Sequence, residues 1–329
     1  MGDDLRAEGL IAVRVQSMTL WLLVLALLLG AVLRSGSVCM VAATEAFLRK
    51  RDPSRALLIA EGTCWALVAL TLIGAYPLGV RFSESMLLGL AGAFVFGMGA
   101  AVNGACAFGV IAQVGTGRFE YALTGVGVWI AVQASGGMRP VTESMDMAPV
   151  GTWSAAVMLA VALVLVRLWL RRGRTVGRVL FLGLAMAVGA ACFTAIAVNH
   201  ARFPWIALLN DPGMATALSW WIAGSVVAGA IGAGLVIPDG FNLSWPGFGR
   251  LGRRLIGGVL MGTGSVMLPG GNSSLLFFGL TTGAPMAALG LVAMVAGIVV
   301  MILASAGPLS PFLRRVAAMC GLGHSDHRG

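Results

Sequence analysis

The segment that decides the architecture is a glycine-rich run inside an apolar stretch of the first half: Gly97-Met98-Gly99-Ala100-Ala101-Val102-Asn103-Gly104-Ala105-Cys106. A run in the second half resembles it, with one extra residue: Gly262-Thr263-Gly264-Ser265-Val266-Met267-Leu268-Pro269-Gly270-Gly271-Asn272. Each run joins glycine to an amide or a thiol in a setting where a membrane helix is normally apolar. The pair predicts two interrupted helices in two related halves of one chain.

The composition places the chain in a membrane. Of its 329 residues, 58% are hydrophobic and 11% are charged, and the mean hydropathy is +0.92. Soluble domains are about 45–50% apolar and about 25% charged, so a water-soluble enzyme, a disordered protein and a secreted disulfide scaffold are excluded. The net charge of +9 comes from arginines between apolar runs, without an aromatic and basic stripe for stacking bases. We therefore predict an all-α polytopic membrane protein. Its expected partner is the lipid bilayer in which it is embedded, and we expect no binding to nucleic acid.

Nine apolar runs are long enough to cross a bilayer core of about 30 Å. Their approximate limits are residues 18–34, 56–76, 86–112, 120–136, 153–170, 178–199, 215–237, 254–278 and 283–305. When the spans alternate in direction, most arginines fall on one side together with the C-terminus. Positively charged short loops stay in the cytoplasm. This bias predicts a periplasmic N-terminus and a cytoplasmic C-terminus.

The two halves predict an inverted repeat. Leu29-Gly30 precedes Cys39 at the same interval at which Leu182-Gly183 precedes Cys192. This match and the two glycine runs pair span one with span six and span three with span eight, so matched helices run in opposite directions. Such architectures place the substrate site near the bilayer midplane, between broken helices. The predicted division is an N-terminal periplasmic segment, a first repeat, a linker with an extra span, a second repeat and a cytoplasmic tail, at residues 1–17, 18–136, 137–177, 178–305 and 306–329.

The first glycine run has two interpretations. Asn103, Gly104 and Cys106 weaken an ideal helix, because glycine costs about 1 kcal/mol relative to alanine. A break there would expose backbone N–H groups and direct the thiol into a pathway, since irregular backbone at this depth survives only where protein or water satisfies it. Alternatively, the small residues serve close helix packing.

The second glycine run predicts a helix break more strongly than the first run does. Pro269 removes a backbone donor and clashes with the preceding turn. Gly270 and Gly271 follow, and then the polar residues Asn272 and Ser273. The sequence predicts a broken or re-entrant segment.

The remaining candidate residues are thiols and one carboxylate. Cys39 lies either in an exposed loop or at a short helix that returns into the membrane, and the apolar run to Phe47 favours the helix. Cys192 fits a plain core position unless it is the repeat partner of Cys39, and Cys64 has no repeat partner. Glu61 would be costly facing lipid and is expected to point inward or to reach the boundary. The tail residues Cys320, His324 and His327 match no standard zinc spacing.

The motifs resemble those of the YeeE/YedE family of sulfur-compound transporters. The resemblance rests on Gly-x-Gly followed by Gly-Ala-Cys at 104–106, on Pro-Gly-Gly at 269–271, and on the element Ser37-Val38-Cys39-Met40. It implies a bacterial inner-membrane permease with two inverted halves that imports thiosulfate or a related sulfur oxyanion past a line of cysteines, Cys39 and Cys106 among them. The second-half motif of the family usually ends in Gly-Gly-Cys, and here Asn272 stands at the cysteine position.

The resulting hypothesis is a transporter rather than an enzyme. Motifs for ATP hydrolysis or for a hydrolytic nucleophile are missing from the sequence, and no cofactor or metal is predicted. The expected substrate-binding residues are Cys39, Cys106, Cys192, Asn103, Gly104, Gly270, Gly271, Asn272 and Ser273. No arginine within the spans is obviously placed to neutralise the cargo, so helix ends, amides and thiols are expected to do so. The alternative is a membrane-embedded sulfur-transfer protein that forms a cysteine persulfide and passes it to a cytoplasmic carrier of the TusA type.

Overall fold

A computed structural model describes residues 2–36, 39–73, 86–137, 153–170, 176–199, 217–237, 240–243, 247–268, 271–281 and 285–306. Within these ranges the chain is helical and contains no β-strand. Six segments are long and apolar enough to cross a membrane. The prediction of an all-α polytopic membrane protein is confirmed. The count of nine spans stays a prediction, although a helix occupies each of the nine predicted positions.

The first half contains six α-helices: α1 (Gly2–Gly36), α2 (Met40–Lys50), α3 (Ser54–Ile73), α4 (Met86–Asn103), α5 (Ala107–Val114) and α6 (Ala122–Ala134). A short 3-10 helix, Phe119–Tyr121, precedes α6. The rest of the described chain forms α7 (Trp153–Leu170), α8 (Val176–Asn199), α9 (Ala217–Val236), α10 (Phe248–Met267), α11 (Gly271–Ser274), a π-helical turn (Leu275–Gly279) and α12 (Pro285–Ala306).

Apart from the contact of α7 with α3, the main helix contacts are the same when the helices of the two halves are exchanged. The exchange pairs α1 with α8, α3 with α9, α4 with α10 and α6 with α12. Helix α1 packs on α9 as α8 packs on α3, and α4 packs on α12 as α10 packs on α6. The two self-paired contacts, α1 with α8 and α4 with α10, are also present. The inverted repeat stays a prediction, and this packing is what such a repeat would produce.

Glycine brings α4 and α10 together at the centre. A β-carbon on Gly92 would lie 2.5 Å from Cβ of Met267, and one on Gly257 would lie 2.7 Å from Cβ of Asn103. Rising residue numbers in α4 therefore meet falling numbers in α10, so the two helices run antiparallel. Small residues permit this close approach, which is how membrane helices gain van der Waals contact.

A buried ion pair joins α7 to α3. Glu61 is completely buried and Arg167 is 3% exposed, and their side chains form a salt bridge. Nε1 of Trp65 donates to Oε1 of Glu61 at 3.3 Å, and Nη2 of Arg167 donates to the carbonyl of Val179 in α8 at 3.3 Å. Glu61 points inward, as predicted, and its charge is compensated by an arginine on a neighbouring helix.

Candidate functional site

The first predicted break is present between α4 and α5. Gly104 adopts the left-handed conformation, with a φ of 77°, which favours glycine. Its N–H donates to the carbonyl of Ala101 at 3.0 Å, and that of Ala105 donates to Ala100 at 3.1 Å. These two bonds form a Schellman motif, which ends α4 at Asn103. The glycine run therefore stops the helix as well as packing it, and Cys106 becomes the N-cap of α5.

The side chain of Asn103 stabilises this turn through hydrogen bonds. It is completely buried, and its Nδ2 donates to the carbonyl of Ala105 at 2.9 Å. Its Oδ1 accepts from the hydroxyl of Thr124 in α6, also at 2.9 Å. Both polar atoms of the side chain are used inside the protein, so Asn103 shapes the break.

Cys39 and Cys106 meet at the starts of two short helices. Cys39 is the N-cap of α2 and is 9% exposed, so of the two placements considered for Cys39 the short helix is correct. The backbone N–H of Cys106 donates to Sγ of Cys39 at 3.5 Å. A β-carbon on Gly109 would lie only 2.7 Å from the Cys39 sulfur. Two free thiols thus share the space between two helix N-termini.

The second predicted break is also present. Helix α10 ends at Met267, and Gly271, with a φ of 63°, begins the four-residue helix α11. Pro269 and Gly270 lie outside the described residues. A π-helical turn follows, and every residue from 271 to 279 is buried. Such π-helical turns are rare and often occur at functional sites.

Asn272 contrasts with Asn103. Its side chain is 1% exposed, yet within the described residues neither Nδ2 nor Oδ1 has a hydrogen-bond partner. An unsatisfied buried amide costs about 1–3 kcal/mol, so it calls for an explanation. The neighbouring Ser273 is buried and has interactions within the protein. Of the polar residues predicted at the two breaks, Asn272 is the one with free hydrogen-bonding capacity.

Aromatic rings connect the two breaks. Phe108, two residues after Cys106, packs edge-on against Phe277 in the π-helical turn, with ring centroids 5.7 Å apart. Phe193 of α8 lies 5.7 Å from Phe108 and 4.9 Å from Phe277. The interrupted segments of the two halves therefore lie next to each other in the core.

The other thiols occupy separate places. Cys192 is 3% exposed and immediately precedes Phe193, which brings α8 to the aromatic cluster. Cys64 is buried in α3. The tail residues Cys320, His324 and His327 lie outside the described residues. Within the described part of the chain, no group of three His, Cys, Asp or Glu side chains could hold a metal ion.

An arginine that the sequence did not single out contacts the first break. Arg254 of α10 is 4% exposed, and its Nη1 donates to the carbonyl of Asn103, the last residue of α4. Its guanidinium also covers the ring of Tyr121, with Cζ 3.7 Å from the ring centroid. In the sequence, Arg254 lies at the start of a predicted span, where it was expected to be one of the cytoplasmic loop arginines. Only the antiparallel packing of α10 on α4 brings it to the break.

The fold and the two breaks define the class: a multi-pass helical membrane protein with interrupted helices in its core. Residues 35–152, about a third of the chain, match the family model described as sulphur transport, the YeeE/YedE family. This match confirms the family resemblance and indicates a sulfur-compound transporter. It covers the first break and both Cys39 and Cys106. No curated protein matches the chain.

Proposed function

We propose that this protein is an inner-membrane permease that imports a small sulfur-containing anion of the thiosulfate class, with the Cys39–Cys106 pair as its central binding site. The observation that carries the proposal is the hydrogen bond from the Cys106 backbone to the Cys39 sulfur, because it puts both thiols at one point between two helix N-termini. The family match over the same residues supports the class of cargo.

The helix starts supply the charge that an anion needs. Transfer of a bare ion into hydrocarbon costs tens of kcal/mol by solvation estimates. Each helix N-terminus carries roughly half a positive charge, and the first turn leaves backbone N–H groups without intrahelical partners. Helices α2 and α5 both begin at the thiols, so their N-termini act on the same position. The Cys39 sulfur occupies the place at the start of α5 where an anionic ligand would bind.

The thiols suit a soft sulfur atom. A neutral S–H group is a weak hydrogen-bond donor, and thiol sulfur is polarisable. Weak sites in succession let a cargo enter and leave without being trapped. In this proposal Asn272 supplies the next binding site for the anion, because the Nδ2 donor and the Oδ1 acceptor of its buried amide are both available. Gly104 and Gly271 provide the turns that allow this geometry, and Cys192 and Ser273 belong to the surrounding wall.

The test is uptake of ³⁵S-labelled thiosulfate into proteoliposomes that contain the purified full chain. Cys39→Ala and Cys106→Ala are expected to reduce the initial rate at least tenfold. Cys64→Ala is the matched control, since it removes a buried free thiol from α3 and should leave uptake unchanged. Normal uptake by Cys106→Ala would refute the proposal.

The same samples distinguish the sulfur-transfer alternative. In sulfur transfer, the thiolate of Cys39 or Cys106 would attack the outer sulfur of thiosulfate, break its S–S bond and release sulfite. With the label on the outer sulfur, the persulfide would keep the label on the protein during denaturing electrophoresis without reductant, and the label would disappear on reduction. Reversible hydrogen bonding leaves no label on the denatured chain. A covalent adduct at Cys39 or Cys106 would replace the permease proposal with sulfur transfer to a carrier of the TusA type.

A further inference from the structure

Two arginines and a tyrosine surround the turn at Gly104, two residues before Cys106. A β-carbon on Gly104 would lie 3.2 Å from Nη2 of Arg253, 3.3 Å from Nη1 of Arg254 and 3.7 Å from the hydroxyl of Tyr121. Three hydrogen-bond donors therefore converge on a residue that has no side chain. Two of them belong to guanidinium groups on consecutive residues of α10.

The positive charge of this group is not neutralised by direct contact. Neither guanidinium forms a salt bridge within the described residues, and Nε of Arg253 and Nε of Arg254 are both buried without a hydrogen-bond partner. Glu120 lies close enough to interact electrostatically with Arg254, but within the described residues it forms no salt bridge with either arginine, and its Oε2 has no hydrogen-bond partner. Burial without pairing is costly for a charged group.

Helix capping explains only part of the arrangement. Nη1 of Arg254 donates to the carbonyl of Asn103 and so stabilises the negative end of α4. This bond leaves the two Nε atoms and the whole of Arg253 unexplained.

We propose that Arg253 and Arg254 form an oxyanion-binding site at Gly104, where the cargo stays before it leaves the protein. Guanidinium groups bind oxyanions through paired N–H donors, and two of them satisfy an anion with several oxygens. The missing side chain at Gly104 lets such a ligand approach the backbone turn. The arginine bias predicts that α4 runs towards the cytoplasm, so a site at its C-terminal end would serve release. Its role as a release site rests on the proposed function, whereas its affinity for an oxyanion can be measured separately.

The experiment measures binding of ³⁵S-labelled sulfate, by equilibrium dialysis, to the full chain in lipid nanodiscs. Sulfate keeps the oxyanion face and lacks the soft terminal sulfur that the thiol pair would recognise. The variants are Arg253→Gln, Arg254→Gln, Gly104→Ala, Cys106→Ala and the control Arg55→Gln. Arg55 is an exposed residue in the first turn of α3, so the control removes the same charge elsewhere. Arg253→Gln keeps the cap of α4 in place, so it tests the site even if Arg254→Gln unfolds.

Arg253→Gln and Gly104→Ala are expected to raise the dissociation constant at least tenfold, whereas Arg55→Gln changes it less than twofold. Absence of sulfate binding by the unaltered protein, or equal binding by Arg253→Gln, would overturn the inference. Loss of binding in Cys106→Ala alone would also overturn it, because the anion would then lie at the thiols. In each of these cases the permease proposal would still be judged by thiosulfate uptake.

Discussion

Gly109→Ala tests the thiol pair without altering a cysteine. The new β-carbon would lie 2.7 Å from Sγ of Cys39, 3.2 Å from Cβ of Cys39 and 3.1 Å from Cβ of Ala105. Ordinary contact begins near 3.4 Å, so the sulfur must move by about 0.7 Å. The bond from the Cys106 N–H is already 3.5 Å long, and this shift would break it.

The variant should still fold, because two opposing effects limit the change in its free energy of unfolding. Alanine is about 1 kcal/mol better than glycine inside a helix. Overfilling a packed core costs about 1–3 kcal/mol. The two effects oppose each other, so the free energy of unfolding should fall by no more than about 2 kcal/mol. A loss of about 1.4 kcal/mol in the contact between the cargo and the Cys39 sulfur weakens binding tenfold. Thiosulfate uptake is therefore expected to fall at least tenfold.

The matched control is Gly232→Ala in α9, where no atom lies within 4 Å of the new β-carbon. This variant gains the same helix propensity and should transport at the normal rate. Initial rates are compared at equal amounts of reconstituted protein, and thermal unfolding in detergent reports stability. If Gly109→Ala folds and transports like Gly232→Ala, the Cys39 sulfur is not part of the route, and the reasoning from its position is wrong.

Two further pairs of variants test the buried polar groups. Asn272→Leu removes an unsatisfied amide, so thermal unfolding should show unchanged or higher stability, by up to about 1–3 kcal/mol, while uptake falls. Asn103→Leu breaks two hydrogen bonds and should lower stability by about 1–3 kcal/mol; equal behaviour of the two variants would contradict the distinction between them. Glu61→Gln leaves Arg167 buried without its counter-charge and should cost about 3–5 kcal/mol, whereas the double variant with Arg167→Met should recover most of that loss. If the double variant is as unstable as Glu61→Gln, the salt bridge is not what joins α7 to α3.

Several features could be predicted from short stretches of sequence. Hydropathy over about 20 residues identifies membrane helices, because backbone groups in lipid must be satisfied within the segment. The breaks at Gly104 and at 268–271 follow from glycine and proline, whose backbone preferences are local. The apolar run after Cys39 likewise favoured the short helix, whereas the inward position of Glu61 was one of two placements that the sequence left open.

Other features depend on packing between distant segments. Asn103 and Asn272 look alike in sequence, but only Asn103 has a hydroxyl from α6 within reach. The meeting of Cys39 with Cys106, the place of Arg254 at the end of α4 and the contact of Phe193 with both breaks join residues far apart in the chain.

The amino-acid sequence alone determined that this chain is helical, lies in a membrane and interrupts two of its helices, because those properties arise within single segments. The tertiary structure alone decided which polar groups were satisfied and which stayed free. That outcome depends on which atoms of other helices come within about 3 Å, and no local pattern encodes such distances.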